Sequence, residues 1–159
     1  RLDLAIPFLF DERAAKLADT GAGLPSYAEI ASVIRVRFKT LIADALPIAV
    51  VYDNAPDEIP DQLYFVRHAL IFGDSMQVAR AATGSRRFRS VGRQIAQVFV
   101  PLFEGDESAR QIVDRIVESF RGVTVSGVVF RTPTVSAGRR SGDWWQVNVT
   151  CPWYSDRAA

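Results

Sequence analysis

The sequence predicts an α+β fold: a mostly antiparallel mixed sheet with two main helices packed on one face, carried by residues 26–159 and preceded by an N-terminal arm and linker at residues 1–25. Three observations predict it. Two stretches combine a helix-capping signal with apolar residues at helical spacing. Several runs of strand length are apolar on alternate positions, or on both sides. The length of 159 residues suits one domain, with no internal repeat and no low-complexity tract to suggest another.

Within residues 1–25, Leu2, Leu4, Ile6, Phe8 and Phe10 alternate with other residues, the period of an extended strand. Pro7 would confine such a strand to an edge or an arm. Asp11 can cap a short helix through Ala18, and Gly21 and Gly23 break it. Packing of this segment on its own domain is the alternative to a free arm. The first strong helix starts at Ser26, because Ser26-Tyr27-Ala28-Glu29 has capping-box spacing. Its buried stripe is expected to be Ile30, Ile34, Phe38, Leu41 and Ala45, and Pro47 to end it.

A strand is expected from Ile48 to Tyr52, then a turn at Asp53-Asn54-Ala55-Pro56 and a loop to Asp61. Leu63–Phe72 and Ser75–Ala82 read as successive strands, interrupted at Thr83-Gly84; Arg86, Arg87 and Arg89 fall in the following connection; Arg93–Val100 is the next strand, ended by Pro101. The second helix should start near Ser108, with Ile112, Val113, Ile116, Val117 and Phe120 on one face and Gly122 as a left-handed C-cap. Two strands follow, Val123–Arg131 and Asp143–Trp153, joined by a loop holding Arg139 and Arg140.

Composition restricts function. Apolar residues make up 48% and charged residues 23%, and the net charge of +1 points neither to nor away from nucleic acid. Lys16 and Lys39 are the only lysines, so the other seventeen basic residues are arginines, the side chain better suited to fixed, planar ion pairs at protein interfaces. Residues 1–4 lack a signal-peptide pattern, and no apolar run reaches the length of a membrane span. Cys151 has no cysteine to pair with, and it shares the apolar face of the last strand, where an inert thiol is expected. His68, the one histidine, lies mid-strand and is expected to be structural, not catalytic. No glycine-rich phosphate loop is present. Asp53, Asp57, Glu58 and Asp61 cluster in one loop without calcium-loop spacing, so a solvated acidic loop is expected over a metal site. Neither a catalytic residue nor a cofactor is expected.

The strands point to a partner. Tyr64, Val66, Leu70 and Phe72 share one side of the long strand, and Leu63, Phe65, Ala69 and Ile71 share the other. A strand apolar on both sides needs cover on both, and two helices cover about one face of a sheet. The remainder should be buried by the arm, by a neighbouring copy, or by both. Trp144, among polar neighbours on the last strand, belongs to the same class of candidate contact, as do Arg86, Arg87, Arg89, Arg139 and Arg140 and the acidic Asp57, Glu58 and Asp61. For the arginines three readings stay open: solvated loop charge, salt bridges to a protein partner, or phosphate contact.

Several short motifs occur in a familiar order. Tyr27-Ala28-Glu29-Ile30 leads to Ile34-Arg35-Val36-Arg37-Phe38; Val51-Tyr52-Asp53-Asn54 is followed by Pro56; Gly92-Arg93-Gln94-Ile95-Ala96-Gln97-Val98-Phe99-Val100-Pro101 leads to Gly105; and Gly142-Asp143-Trp144-Trp145-Gln146-Val147-Asn148-Val149 closes the domain. Over residues 26–155 this order resembles the tail terminator proteins of long-tailed, lambda-like phages. The resemblance implies a structural virion protein without catalytic residues. It would form a ring, usually a hexamer, on the last ring of the tail tube, stopping tube polymerisation and presenting the surface that joins the head. The implied partners are copies of itself, the tail tube protein and a head-completion or connector protein, with DNA crossing the channel without sequence recognition. The implied place is the neck region of the virion tail, after assembly in the host cytoplasm. Another neck protein, a small enzyme or ligand-binding domain, and a nucleic-acid module are the rival readings.

Overall fold

A computed structural model describes residues 26–55, 63–80 and 86–158, with no account of the Ala158 side chain. The order of elements is helix α1 (Tyr27–Phe38), a π-helical turn (Lys39–Ala43), strands β1 (Ala49–Tyr52), β2 (Phe65–Arg80) and β3 (Arg86–Pro101), helix α2 (Glu107–Phe120), and strands β4 (Thr124–Val125), β5 (Val128–Phe130), β6 (Thr134–Val135), β7 (Arg139–Ser141) and β8 (Trp144–Ala158). These eight strands form one sheet in the order β1-β2-β3-β8-β5-β4, with β6 and β7 also pairing with β8. Among the described residues only the β1–β2 pair is parallel. The α+β class, the mixed and mostly antiparallel sheet, and the two helices sharing one core with a single sheet face match the sequence reading. The N-terminal arm lies outside the described residues.

α1 begins as its sequence dictates. The Ser26 hydroxyl accepts the Glu29 amide at 3.3 Å, and the Glu29 carboxylate accepts the Ser26 amide, so both halves of the capping box are made. Ile30, Ile34 and Phe38 are buried. Beyond Phe38 the wider π turn rotates the stripe, so Ile42 is buried; Leu41 is only partly buried and Ala45 is exposed, against the expected spacing. The Arg37 guanidinium donates to the Ser119 carbonyl at 2.9 and 2.7 Å, tying α1 to the last turn of α2. Ser26→Ala should lower stability by about 1 kcal/mol, read as a shift in the denaturant midpoint with an unchanged slope.

α2 starts one residue before the expected position, with Asp106 rather than Ser108 before it, and the Asp106 carboxylate accepts from Arg110 at 2.7 Å rather than from a backbone amide. Its apolar face is as read: Ile112, Val113, Ile116, Val117 and Phe120 are buried, and Gly122 follows at φ 64°. Both helices pack on Val66, Ala96, Val98, Val147, Val149, Cys151 and Trp153 of the central strands.

The strands depart from the sequence reading in five places. Residues 65–80 form one strand rather than two, because a register shift between Phe72 and Ser75 absorbs Gly73-Asp74 as a bulge. β3 begins at Arg86, seven residues before the expected start, because pairing with both β2 and β8 holds it extended. Residues 123–131 form a hairpin, not one strand, since Ser126 (φ 46°) and Gly127 (φ 79°) are both left-handed, as a two-residue turn requires. Arg139 and Arg140 lie on β7 rather than in a loop, and β8 runs on past Trp153 to Ala158.

Candidate assembly surface

β2 and β3 each run 16 residues, past the positions that pack against the helices, and this length creates the surface. Up to Leu70, β2 lies in the domain: Val66 and His68 are buried against the helices, and β1 pairs with Phe65–His68. From Ile71 to Arg80 every residue of β2 is exposed. This outer half carries Ile71 (38% exposed), Phe72 (37%), Met76 (52%) and Val78 (39%); Phe72 lies on the side of Trp153, whereas Ile71 and Met76 lie on the opposite face. The outer half of β3 runs alongside, with Arg80 opposite Arg86 and Ala79 opposite Arg87. β8 runs along the other edge of β3 as far as Ala158 opposite Arg87, so the outer halves form a three-stranded arm with apolar side chains on both faces and arginines towards its end.

Part of the expected surplus is sheltered within the chain. On the side away from the helices, Phe65 and Phe99 stack with ring centres 4.6 Å apart, and Trp144 meets Phe65 edge-on at 4.9 Å. Phe65 and Phe99 are buried as a result. Beyond this aromatic end the same side carries Arg67, Gln97, Asn148 and Thr150, which water can solvate. Part of the apolar surplus of β2 therefore lies on the arm, while Leu63, Phe103 and Val135 are exposed elsewhere.

The candidate contacts divide accordingly. Val66 is wholly buried in the chain's own core, out of a partner's reach, and Tyr64 packs partly against that core. Phe72 remains at the surface, with Tyr27 edge-on at 5.2 Å on one side and Trp153 at 5.3 Å on the other. Arg86 and Arg87 are exposed on the arm. Arg89 is engaged internally: its guanidinium makes a two-pronged bond with Asp156 at 2.6 and 2.8 Å and lies 4.2 Å over the Tyr154 ring. The hydrogen bonds from Arg89 hold the Asp156 carboxyl below its usual pKa, and the carboxylate in turn raises the Arg89 pKa. That pair clamps β3 to β8. Arg140 is exposed and donates to the Gly142 carbonyl at 3.1 Å, while Arg139 contacts Gln146 at 3.4 Å. Asp57, Glu58 and Asp61 lie outside the described residues; Asp53, nearby, accepts the Leu70 amide at 2.8 Å.

Sequence reasoning missed Met76, Val78 and Phe103. Met76 and Val78 stand among Gln77, Ala79 and Arg80, too polar a stretch to read as a contact strip. Phe103, 93% exposed at φ 67°, sits on the turn into α2, at the far end of β3 from the arm. Its signal was an aromatic residue between Pro101 and Gly105, where the chain has to turn.

Catalytic chemistry finds little support in the geometry. His68 Nε2 bonds Gln94 Oε1 at 3.0 Å inside the core, and burial lowers its pKa to about 4. Burial also pushes the Cys151 thiol up to about 11, which leaves it protonated and unreactive. Among the described residues no group of three or more His, Cys, Asp or Glu side chains could hold a metal ion.

A family model described as phage tail terminator protein matches residues 29–153. The chain belongs to the phage tail terminator family. It is accordingly a structural component of the virion tail. Among the solved structures that match, one does so with a TM-score of 0.58 at 19% identity, covering 79% of this chain and 94% of that chain, a likeness of fold. No curated protein matches the sequence.

Proposed function

We propose that this terminator protein acts as a closed ring of copies seated on the last ring of the tail tube, where it ends tube growth and offers the surface that joins the head. Membership of the terminator family over residues 29–153 carries this reading. The exposed outer arm supports it physically. A lone chain leaves Ile71, Phe72, Met76 and Val78 in water, and a neighbouring copy is the simplest cover. The arm and the rest of the surface differ, so the contact between copies is heterologous, and such contacts either close into a ring or grow without end. A ring whose outer side lacks the tube's polymerising surface stops growth. Arg86 and Arg87 on the arm, with Arg140 on β7, then serve orientation towards acidic groups on the tube or connector protein, as charged interface groups commonly do. DNA passing the channel would meet such arginines without sequence recognition.

Adding the protein to polymerising tube subunits tests the reading. Tubes should become shorter and carry a cap at one end in electron micrographs. Replacing Met76 and Val78 together by Asp should abolish capping and leave monomers in sedimentation. Uncapped tubes of unchanged length with the native chain, or a native chain that stays monomeric at high concentration, would sink it.

A further inference from the structure

Two exposed apolar features lie at opposite ends of β3. At one end is the arm, on the side of the sheet that also carries the Phe65–Phe99 stack. There Ile71 pairs across from Arg93, Met76 from Arg89, and Val91, between those arginines, from Tyr154. Ile71 and Met76 are exposed, and Val91 and Tyr154 are half-buried. Arginines frame this surface. Arg93 is exposed and enters no ion pair among the described residues. Arg131 is exposed and lies 5.3 Å over the Tyr154 ring. Asp156 is already held by Arg89, so Arg93 and Arg131 outnumber Asp74, exposed in the adjacent bulge.

At the other end is the turn that leaves β3. Phe103 is 93% exposed, and φ 67° puts this bulky residue in the left-handed region. That conformation is costly for any residue but glycine, and nothing in the turn hides the ring. Acids surround it. Asp106 is taken up by Arg110 at 2.7 Å, but Glu104 and Glu107 are exposed and enter no ion pair among the described residues.

We propose that the Phe103 turn of one copy docks on this face of the next copy's arm. Phe103 sits over Val91, between Ile71 and Met76, and Glu104 and Glu107 face Arg93 and Arg131. The proposal rests on the ring reading and names the contact that reading leaves open. The chemistry of the two surfaces is complementary: an aromatic knob fringed by acids meets an apolar floor framed by arginines, which supplies both burial and orientation. The dimensions fit as well. Ile71 and Met76 stand opposite Arg93 and Arg89, so roughly 13 Å separates them along the strand, room for an aromatic ring. About 40 Å of strand lies between Arg89 and Pro101, so a chain cannot seat its own turn on its own arm. The occupant is therefore another copy, and repeating the contact adds copies head to tail, the heterologous arrangement that a ring requires.

Charge-reversed chains test the contact. One variant carries Glu104→Arg with Glu107→Arg, the other Arg93→Glu with Arg131→Glu. Each alone brings like charges together and should sediment as a monomer. An equal mixture should recover the native oligomer, because each turn then meets the opposite charge on the other variant's arm. Phe103→Gly separates contact from folding. Glycine accepts φ 67°, so the melting temperature should hold or rise, while association weakens on the order of 30-fold. Cysteines placed by Phe103→Cys and Met76→Cys and joined with a short bismaleimide should give a ladder of linked chains on a denaturing gel. Native-sized oligomers from Phe103→Gly and from each charge variant alone would overturn this contact and leave the ring reading standing. Variants that keep the oligomer but lose tube capping would assign the turn to the tube protein instead, and overturn it too. A native chain that stays monomeric at high concentration removes the ring reading and this contact with it.

Discussion

Acidification from neutrality towards pH 4 will remove about 3 kcal/mol of folding stability through His68 alone. The side chain lies in the core between Phe38, with ring centres 4.5 Å apart, and Tyr52, at 5.6 Å. Desolvation is the largest cause of its lowered pKa of about 4; the bond to Gln94 opposes it, Arg35 adds to it and Asp53 opposes it. In the unfolded chain the imidazole titrates near its ordinary value of 6.5. Above that pH both states are neutral and the full stability is present. As pH falls below it, the unfolded chain takes up a proton that the folded chain refuses, so stability declines until the folded pKa is reached, and then levels. Denaturant titrations at several pH values should show this slope in the native chain and a flatter one in His68→Gln. Parallel curves for the two proteins, or a histidine resonance titrating near 6.5 in the folded chain, would refute it.

Gly92→Ala should cost about 3 kcal/mol and loosen the arm from the domain. A Cβ on Gly92 would stand 2.3 Å from Trp153 Cζ2 and 2.4 Å from the Ile71 carbonyl oxygen. Neither neighbour can retreat cheaply. Trp153 is buried with Phe72 against it, and the Ile71 carbonyl belongs to the β2–β3 ladder at the position where Phe72 pairs with Gly92. Glycine here lets two backbones and an indole meet at the base of the arm. Gly73→Ala is the control: its added Cβ would meet Val91 Cγ2 and the Val91 carbonyl oxygen at 3.3 Å, tight contacts that a small shift relieves. The Gly92 variant should melt well below both the native chain and the Gly73 variant, and should cap tubes poorly. Equal melting of all three would show that the close approach does not constrain the sheet.

Several features were legible in the residues because their causes are local. A hydroxyl three positions before a carboxylate starts α1, apolar spacing sets the buried face of α2, and Gly122 ends it. The alternation Val147, Val149, Cys151, Trp153 names the core side of β8 because a strand turns successive side chains to opposite faces. The order of short motifs identified the family that the model match then established. These, with the α+β class, are what the sequence determined by itself.

The tertiary structure alone decided where the strands end and which apolar residues stay in water. Arg86–Ser90 has no apolar alternation; it is a strand because β2 and β8 flank it and Asp156 holds Arg89. Phe65 and Met76 look alike as apolar residues of one strand, yet an aromatic stack buries the first and the second is left on the arm. Backbone pairing and packing between residues far apart in the chain settle such outcomes, and local sequence carries no record of which distant partner will arrive.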